Sequence, residues 1–144
     1  MDAWFGRHAW NNHKTGASRV NVLAAPSTGR IVGYVTLSAA QIDRAFLPRA
    51  NQRNQPDPIP VTLLGQLAVD REWQGQGHAD SLVQFALRTA LRAGEIVGSV
   101  GVVTHPFDES IRAFYARWNF SELPFDPRRA MILRMGDVER ALRG

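Results

Sequence analysis

At 144 residues, with 44% hydrophobic content and no cysteine, the chain predicts one globular domain over residues 1–144 and excludes a disulfide framework, a thiolate nucleophile and a cysteine-based metal site. No apolar run reaches the length of a membrane span and residues 1–20 lack the layout of a secretion signal, so a soluble cytoplasmic protein with no membrane partner is expected. The formal charge is +4 and Lys14 is the only lysine among 17 basic residues, which fits either arginine-biased codon usage or a polyanionic partner whose phosphates match guanidinium forks.

In chain order, DAWFGRHAWNNH (2–13) reads as the later part of an amphipathic helix with Trp4, Phe5, His8 and Ala9 on one side, and KTGAS breaks it. RVNVLAAP (19–26) and RIVGYVTLSA (30–39) read as strands around an STG turn, hence an antiparallel hairpin. AQIDRAF suggests a short helical turn. LPRANQRNQPDPIP (47–60), with four prolines, is expected to be an irregular loop. VTLLGQLAVD (61–70) reads as a buried strand, followed by the glycine-bearing stretch WQGQGHAD (73–80). Ala79, Leu82, Val83, Ala86, Leu87, Ala90 and Leu91 then recur at helical spacing, with Gly94 as the expected stop. SVGVVTH (99–105) is a further strand, and DESIRAFYARW (108–118) a helix with Asp108 as N-cap and Asn119 as its left-handed end. AMILRM (130–135) closes the strands and GDVERALR the helices. The alternation predicts the α/β class with a mixed sheet.

A glycine loop between a buried strand and a helix suits an anion. A P-loop requires Gly-Lys-Ser/Thr where this chain has Gly-His-Ala, and a Rossmann fingerprint requires a third glycine where it has Asp80. The pattern Gln/Arg-x-x-Gly-x-Gly/Ala is met in full by Gln74, Gly75, Gln76, Gly77, His78 and Ala79. Glycines there let successive N–H groups turn toward one diphosphate at a helix start, although a plain strand-to-helix turn gives a similar string.

With LAVD (67–70) before the loop and Asp108 followed at the right distance by Phe114-Tyr115, the chain resembles the GNAT superfamily of N-acetyltransferases. The resemblance implies a splayed central sheet flanked by helices. It implies that acetyl-CoA is the co-substrate, its pantetheine arm paired to the backbone of Leu67, Ala68 and Val69 and its diphosphate held by Gln74 through Ala79. Asp108 is assigned to the same cofactor, and Tyr115 faces its sulfur. The blocks GASR (16–19), PDPIPVTLLGQLAVD (56–70), VVTHPFDESIRAFY (102–115) and FDPRRAMIL (125–133) are further similar to TacT-like toxins of toxin–antitoxin pairs, which acetylate aminoacyl-tRNA. That subgroup implies a ribbon-helix-helix antitoxin, operator DNA reached only through it, and a homodimer. Against the family pattern the chain begins inside the first helix, so a shortened N-terminal strand and helix are expected.

Many GNAT enzymes carry a glutamate base near the position of Gln66, which cannot take a proton. An α-amine, with a pKa near 8, is partly neutral at pH 7, whereas a lysine side chain is not, so the missing base suits aminoacyl-tRNA. Tyr115 is expected as general acid or hydrogen-bond donor to sulfur, or else as a tyrosine packing helix on sheet. His105 is a structural histidine or a base. No histidine pair has metal spacing, and none is expected to hold a metal. For RNA, Arg7, Lys14 and Arg19, with Arg44, Arg49 and Arg53 of the proline-rich loop, are candidate phosphate contacts. The rival readings are a GNAT acting on a small amine or protein N-terminus, and a coenzyme-A-binding module without catalysis.

Overall fold

The computed structural model describes residues 16–144. The expected helix over 2–13, with Arg7 and Lys14, lies outside the described residues. The elements are β1 (Arg19–Ala24), β2 (Ile31–Ile42), β3 (Ile59–Val69), α1 (His78–Ile96), β4 (Gly101–Thr104), α2 (Glu109–Arg117), β5 (Ser121–Glu122), β6 (Met131–Arg134) and α3 (Met135–Arg143). The strands form a six-stranded sheet of order β1-β2-β3-β4-β6-β5. Neighbours β3 and β4 are joined through α1, the helical crossover that parallel strands require.

By its contacts the chain divides into two compact units, Met1–Ser38 with Leu64–Ala86 and Ala39–Leu63 with Leu87–Gly144. In the first, β1 and β2 make the expected antiparallel hairpin, running from Arg19↔Leu37 to Ala24↔Ile31. Its turn closes through Gly29 N to Ala25 O and Ala25 N to Arg30 O, both 2.8 Å, with Gly29 at φ +69°. The later half of β3 lies against β2, with Asp70 N donating to Val32 O at 2.7 Å. Val32, Tyr34, Val35, Leu64, Leu82, Val83 and Ala86 are buried, each large apolar side chain contributing roughly 1.5–3 kcal/mol.

The second unit is built on Ile42, Leu47, Ile59, Val61, Val103, Leu123, Ala130 and Ile132. Here the start of β3 meets the approach to β4, with Val100 N donating to Pro60 O at 2.9 Å and the Thr62 and Ser99 hydroxyls 3.1 Å apart. The segment expected as a helical turn is divided: β2 runs on to Ile42, and Arg44–Phe46 makes the turn as a short 3₁₀ helix. The proline-rich loop is irregular but tied down. Arg44 donates from its backbone to Asp57 Oδ1 and from its guanidinium to Gln55 O, both at 3.1 Å, and Gln52 Nε2 donates to Leu47 O at 2.9 Å.

Gly94 does not stop α1, which continues to Ile96. A Cβ at Gly94 would sit 3.2 Å from Met135 Cε, so this glycine serves close packing rather than termination. At α2 the caps are as expected. Asp108 Oδ1 accepts from Ile111 N at 2.8 Å, and Asn119 is left-handed at φ +71°. The two-residue strand β5, paired Ser121↔Ile132 and Glu122↔Met131, is too short to leave a periodic signal in the sequence.

Candidate active site

The glycine stretch folds as an anion cradle. Trp73 N returns to Asp70 O at 2.8 Å, closing a 3₁₀ turn over Arg71–Trp73. Gly75 and Gly77 then take φ of +79° and +82°, conformations that cost other residues roughly 1–2 kcal/mol. Helix α1 starts at His78, so its first amides have no carbonyl a turn earlier. Among the described residues no carbonyl accepts from the amides of Gly75, Gln76, Gly77, His78 or Ala79. Residues 74–77 are exposed. These donors, at the positive end of a 19-residue helix, fit a diphosphate.

Gln74 has a different part. Its amide reaches Arg71 O only at 3.5 Å, while its side-chain Nε2 donates to Val69 O at 3.1 Å and ties the loop to the end of β3. His78, whose side chain the sequence left unexplained, sets its ring edge-on to Trp73 with centroids 6.0 Å apart. Ser81 donates from its backbone and its hydroxyl to Gly77 O, at 3.1 and 3.2 Å.

Along β3, Asp70 N bonds to Val32 O and Gln66 N to Thr36 Oγ1, so residues of that parity face β2. Strand alternation turns the backbone groups of Leu67 and Val69 to the other edge. Ala68 faces β2, and a Cβ on Gly33 would lie 2.7 Å from its carbonyl oxygen. Ala68 thus lies on the β2 side, while Leu67 and Val69 lie on the other edge, where Val69 O accepts from Gln74 Nε2. Gln66 is exposed and carries no proton-accepting group.

In the second unit α2 carries Tyr115, only 4% exposed, packed edge-on against Phe114 and Phe120 with both centroid distances 5.2 Å. Burial pushes its phenol up to about 12, partly offset by a hydrogen bond with the side chain of Thr104, itself buried. Thr104 was missed in the sequence; a hydroxyl in the apolar run VGVVTH was the available signal. Helix α2 is anchored by Arg112, whose NH1 donates to Arg129 O at 2.8 Å and whose NH2 lies 3.1 Å from Glu122 Oε1. Asp108 is engaged as a cap, accepting from Ser110 Oγ as well as Ile111 N, both at 2.8 Å. His105 is exposed, and partial desolvation and then the nearby Arg128 charge hold its pKa below the usual histidine range.

The family sequence model for the acetyltransferase (GNAT) domain matches residues 18–122. The chain belongs to the GNAT family. A tRNA-acetylating toxin of Mycobacterium tuberculosis is 37% identical over 144 residues, covering 100% of this chain and 84% of that protein. Two solved structures share the fold. AtaT complexed with acetyl-methionyl-tRNAfMet has a TM-score of 0.88 and 28% identity, over 95% of this chain and 82% of its own. A tyrosine-to-phenylalanine mutant of AtaT bound to the C-terminus of the antitoxin AtaR and acetyl-CoA has a TM-score of 0.81 and 25% identity, over 98% and 82%.

Of the arginines considered for RNA on this GNAT chain, Arg19, Arg49 and Arg53 are exposed. Arg44 instead braces its own loop through Gln55 and Asp57. Arg49 lines an open cleft of about 410 Å³ with Ala45, Gln52 and the half-exposed Phe125, an aromatic the sequence did not single out. Among the described residues no three acidic, histidine or cysteine side chains gather as metal ligands, and no helix is long and apolar enough to cross a membrane.

Proposed function

We propose that this chain transfers the acetyl group of acetyl-CoA to the α-amino group of aminoacyl-tRNA, and so blocks translation as the toxin of a toxin–antitoxin pair. The observation that carries the reading is the run of unsatisfied amides from Gly75 to Ala79, in a chain 37% identical over its full length to a tRNA-acetylating toxin. Residues 1–144 act as one catalytic domain.

Bound acetyl-CoA supplies an activated thioester carbonyl. The amides of Gly75, Gln76, Gly77, His78 and Ala79 hold its diphosphate, and the backbone of Leu67 and Val69 pairs with its pantetheine arm. Asp108 contributes by capping the helix that carries Tyr115. The amine lone pair joins the carbonyl carbon, the carbon–sulfur bond breaks, and one amine proton leaves. With Gln66 where a base would stand, the chain relies on an amine that is already neutral. An α-amine with a pKa near 8 meets that condition at pH 7 far better than a lysine near 10.4.

Tyr115 donates a hydrogen bond to the departing sulfur. Against a thiol near 8.5, a phenol at about 12 would give up its proton only at a cost of about 5 kcal/mol, so the hydrogen bond rather than full transfer is its contribution. Exposed Arg19, Arg49 and Arg53 meet RNA phosphates, and Phe125 offers a face for an unpaired base. The partners are an antitoxin of the ribbon-helix-helix type, through which operator DNA is reached, and a second copy of this chain. Mass spectrometry of charged tRNA after incubation with protein and acetyl-CoA tests the reading: N-acetyl-aminoacyl-tRNA is expected, and acetylation of free lysine side chains or small amines in its place would refute it.

A further inference from the structure

We infer that Thr36 is a positioning residue for acetyl-CoA: its buried hydroxyl takes the Gln66 amide and so sets the course of the strand edge that receives the pantetheine arm. The inference rests on the proposed pairing of that arm with Leu67 and Val69.

Four residues along from Gln66, Asp70 N finds a main-chain acceptor, Val32 O, at 2.7 Å. The Gln66 amide donates to Thr36 Oγ1, at 2.9 Å. A side chain of β2 thus holds a main-chain amide of β3 directly before Leu67. Gly65 is the second observation. A Cβ there would lie 2.8 Å from the same Oγ1, so the hydroxyl occupies the space a side chain would need. Gly33 marks the next close approach, its missing Cβ leaving room for Ala68 O at 2.7 Å. Two glycines and one hydroxyl thus set how closely β2 and β3 approach over Gly65–Ala68, directly before Val69. Thr36 is 4% exposed, so the packing around it fixes where its hydroxyl sits.

Thr36→Val keeps the shape and removes the acceptor, whereas Thr36→Ser keeps the acceptor. Acetyl-CoA affinity is read by calorimetry, and amide hydrogen exchange over residues 65–69 is read without ligand. Thr36→Val is expected to weaken acetyl-CoA binding about tenfold and to speed exchange at Gln66 and its neighbours, with Thr36→Ser within about threefold of wild type. Val138→Ala in α3 is the control for general destabilisation, and it should lower the melting temperature while leaving acetyl-CoA affinity near wild type. Unchanged affinity and exchange in Thr36→Val, or an equal loss of affinity in Val138→Ala, would overturn the inference. A wild-type protein that binds no acetyl-CoA contradicts the acetyltransferase reading itself, whereas wild-type binding with an unaffected Thr36→Val contradicts this inference alone.

Discussion

Tyr115 keeps its hydroxyl where water has been excluded, with Thr104 as hydrogen-bond partner and Phe114 and Phe120 against its ring. A phenol raised to about 12 in the folded chain, against roughly 10 unfolded, stabilises the fold fully below pH 10 and loses that contribution as pH rises toward 12. Urea denaturation across that window should show stability falling, with a shallower fall in Tyr115→Phe. The same substitution should lower kcat about 100-fold while acetyl-CoA affinity stays within about threefold, because the ring remains and only the donor is lost. An unaltered kcat would remove Tyr115 from the chemistry. Gln66→Ala should leave the pH–rate profile in place, since the group that titrates near pH 8 is the substrate amine.

At the level of elements, the loop from Gln74 to Ala79 works because two glycines hold left-handed torsions ahead of a long helix. Gly77→Ala should weaken acetyl-CoA binding about tenfold by strain at φ +82°, measured by calorimetry, with the melting temperature lowered only slightly. Asp108 is exposed, and its bonds to Ile111 and Ser110 hold its carboxyl below the usual range. Its capping is therefore present above the unfolded aspartate pKa and is lost as pH falls through the lower folded value. Asp108→Ala should lower the melting temperature at neutral pH and Asp108→Asn should largely keep it.

The loop, the α1 stripe and both α2 caps were legible because each follows from local rules: a glycine spacing, a 3.6-residue period, a carboxylate before a helix. What escaped depends on contacts distant in sequence. Gly94 is interior to α1 because Met135 packs there, and β5 exists only through its pairing with β6. The carbonyl of Ala68 in β3 faces Gly33 of β2 by the phase of strand pairing, which composition does not reveal. The hydroxyls of Thr36 and Thr104 matter for the partners the fold brings them, 30 and 11 positions away.

For the whole molecule, 16 arginines and one lysine against 13 acidic residues leave a net charge of +4, a field suited to a polyanion; Arg49 and Arg53 are exposed, and Arg49 lines a cleft with Phe125. Binding to tRNA should weaken steeply as salt rises, and the double substitution Arg49→Ala/Arg53→Ala should reduce the slope of log affinity against log salt by about 2. A slope left unchanged would place the RNA elsewhere on the surface. The central claim joins the amide cradle at Gly75–Ala79 to transfer onto a charged tRNA. It is tested most directly by supplying purified protein with acetyl-CoA labelled on its acetyl group and a set of aminoacyl-tRNAs, then following label into the RNA fraction. The account predicts label on the α-amine of intact aminoacyl-tRNA, and slower labelling by Gly77→Ala that recovers at saturating acetyl-CoA. Label that remains in acetyl-CoA, or that passes to free amines while charged tRNA stays unmodified, would contradict it.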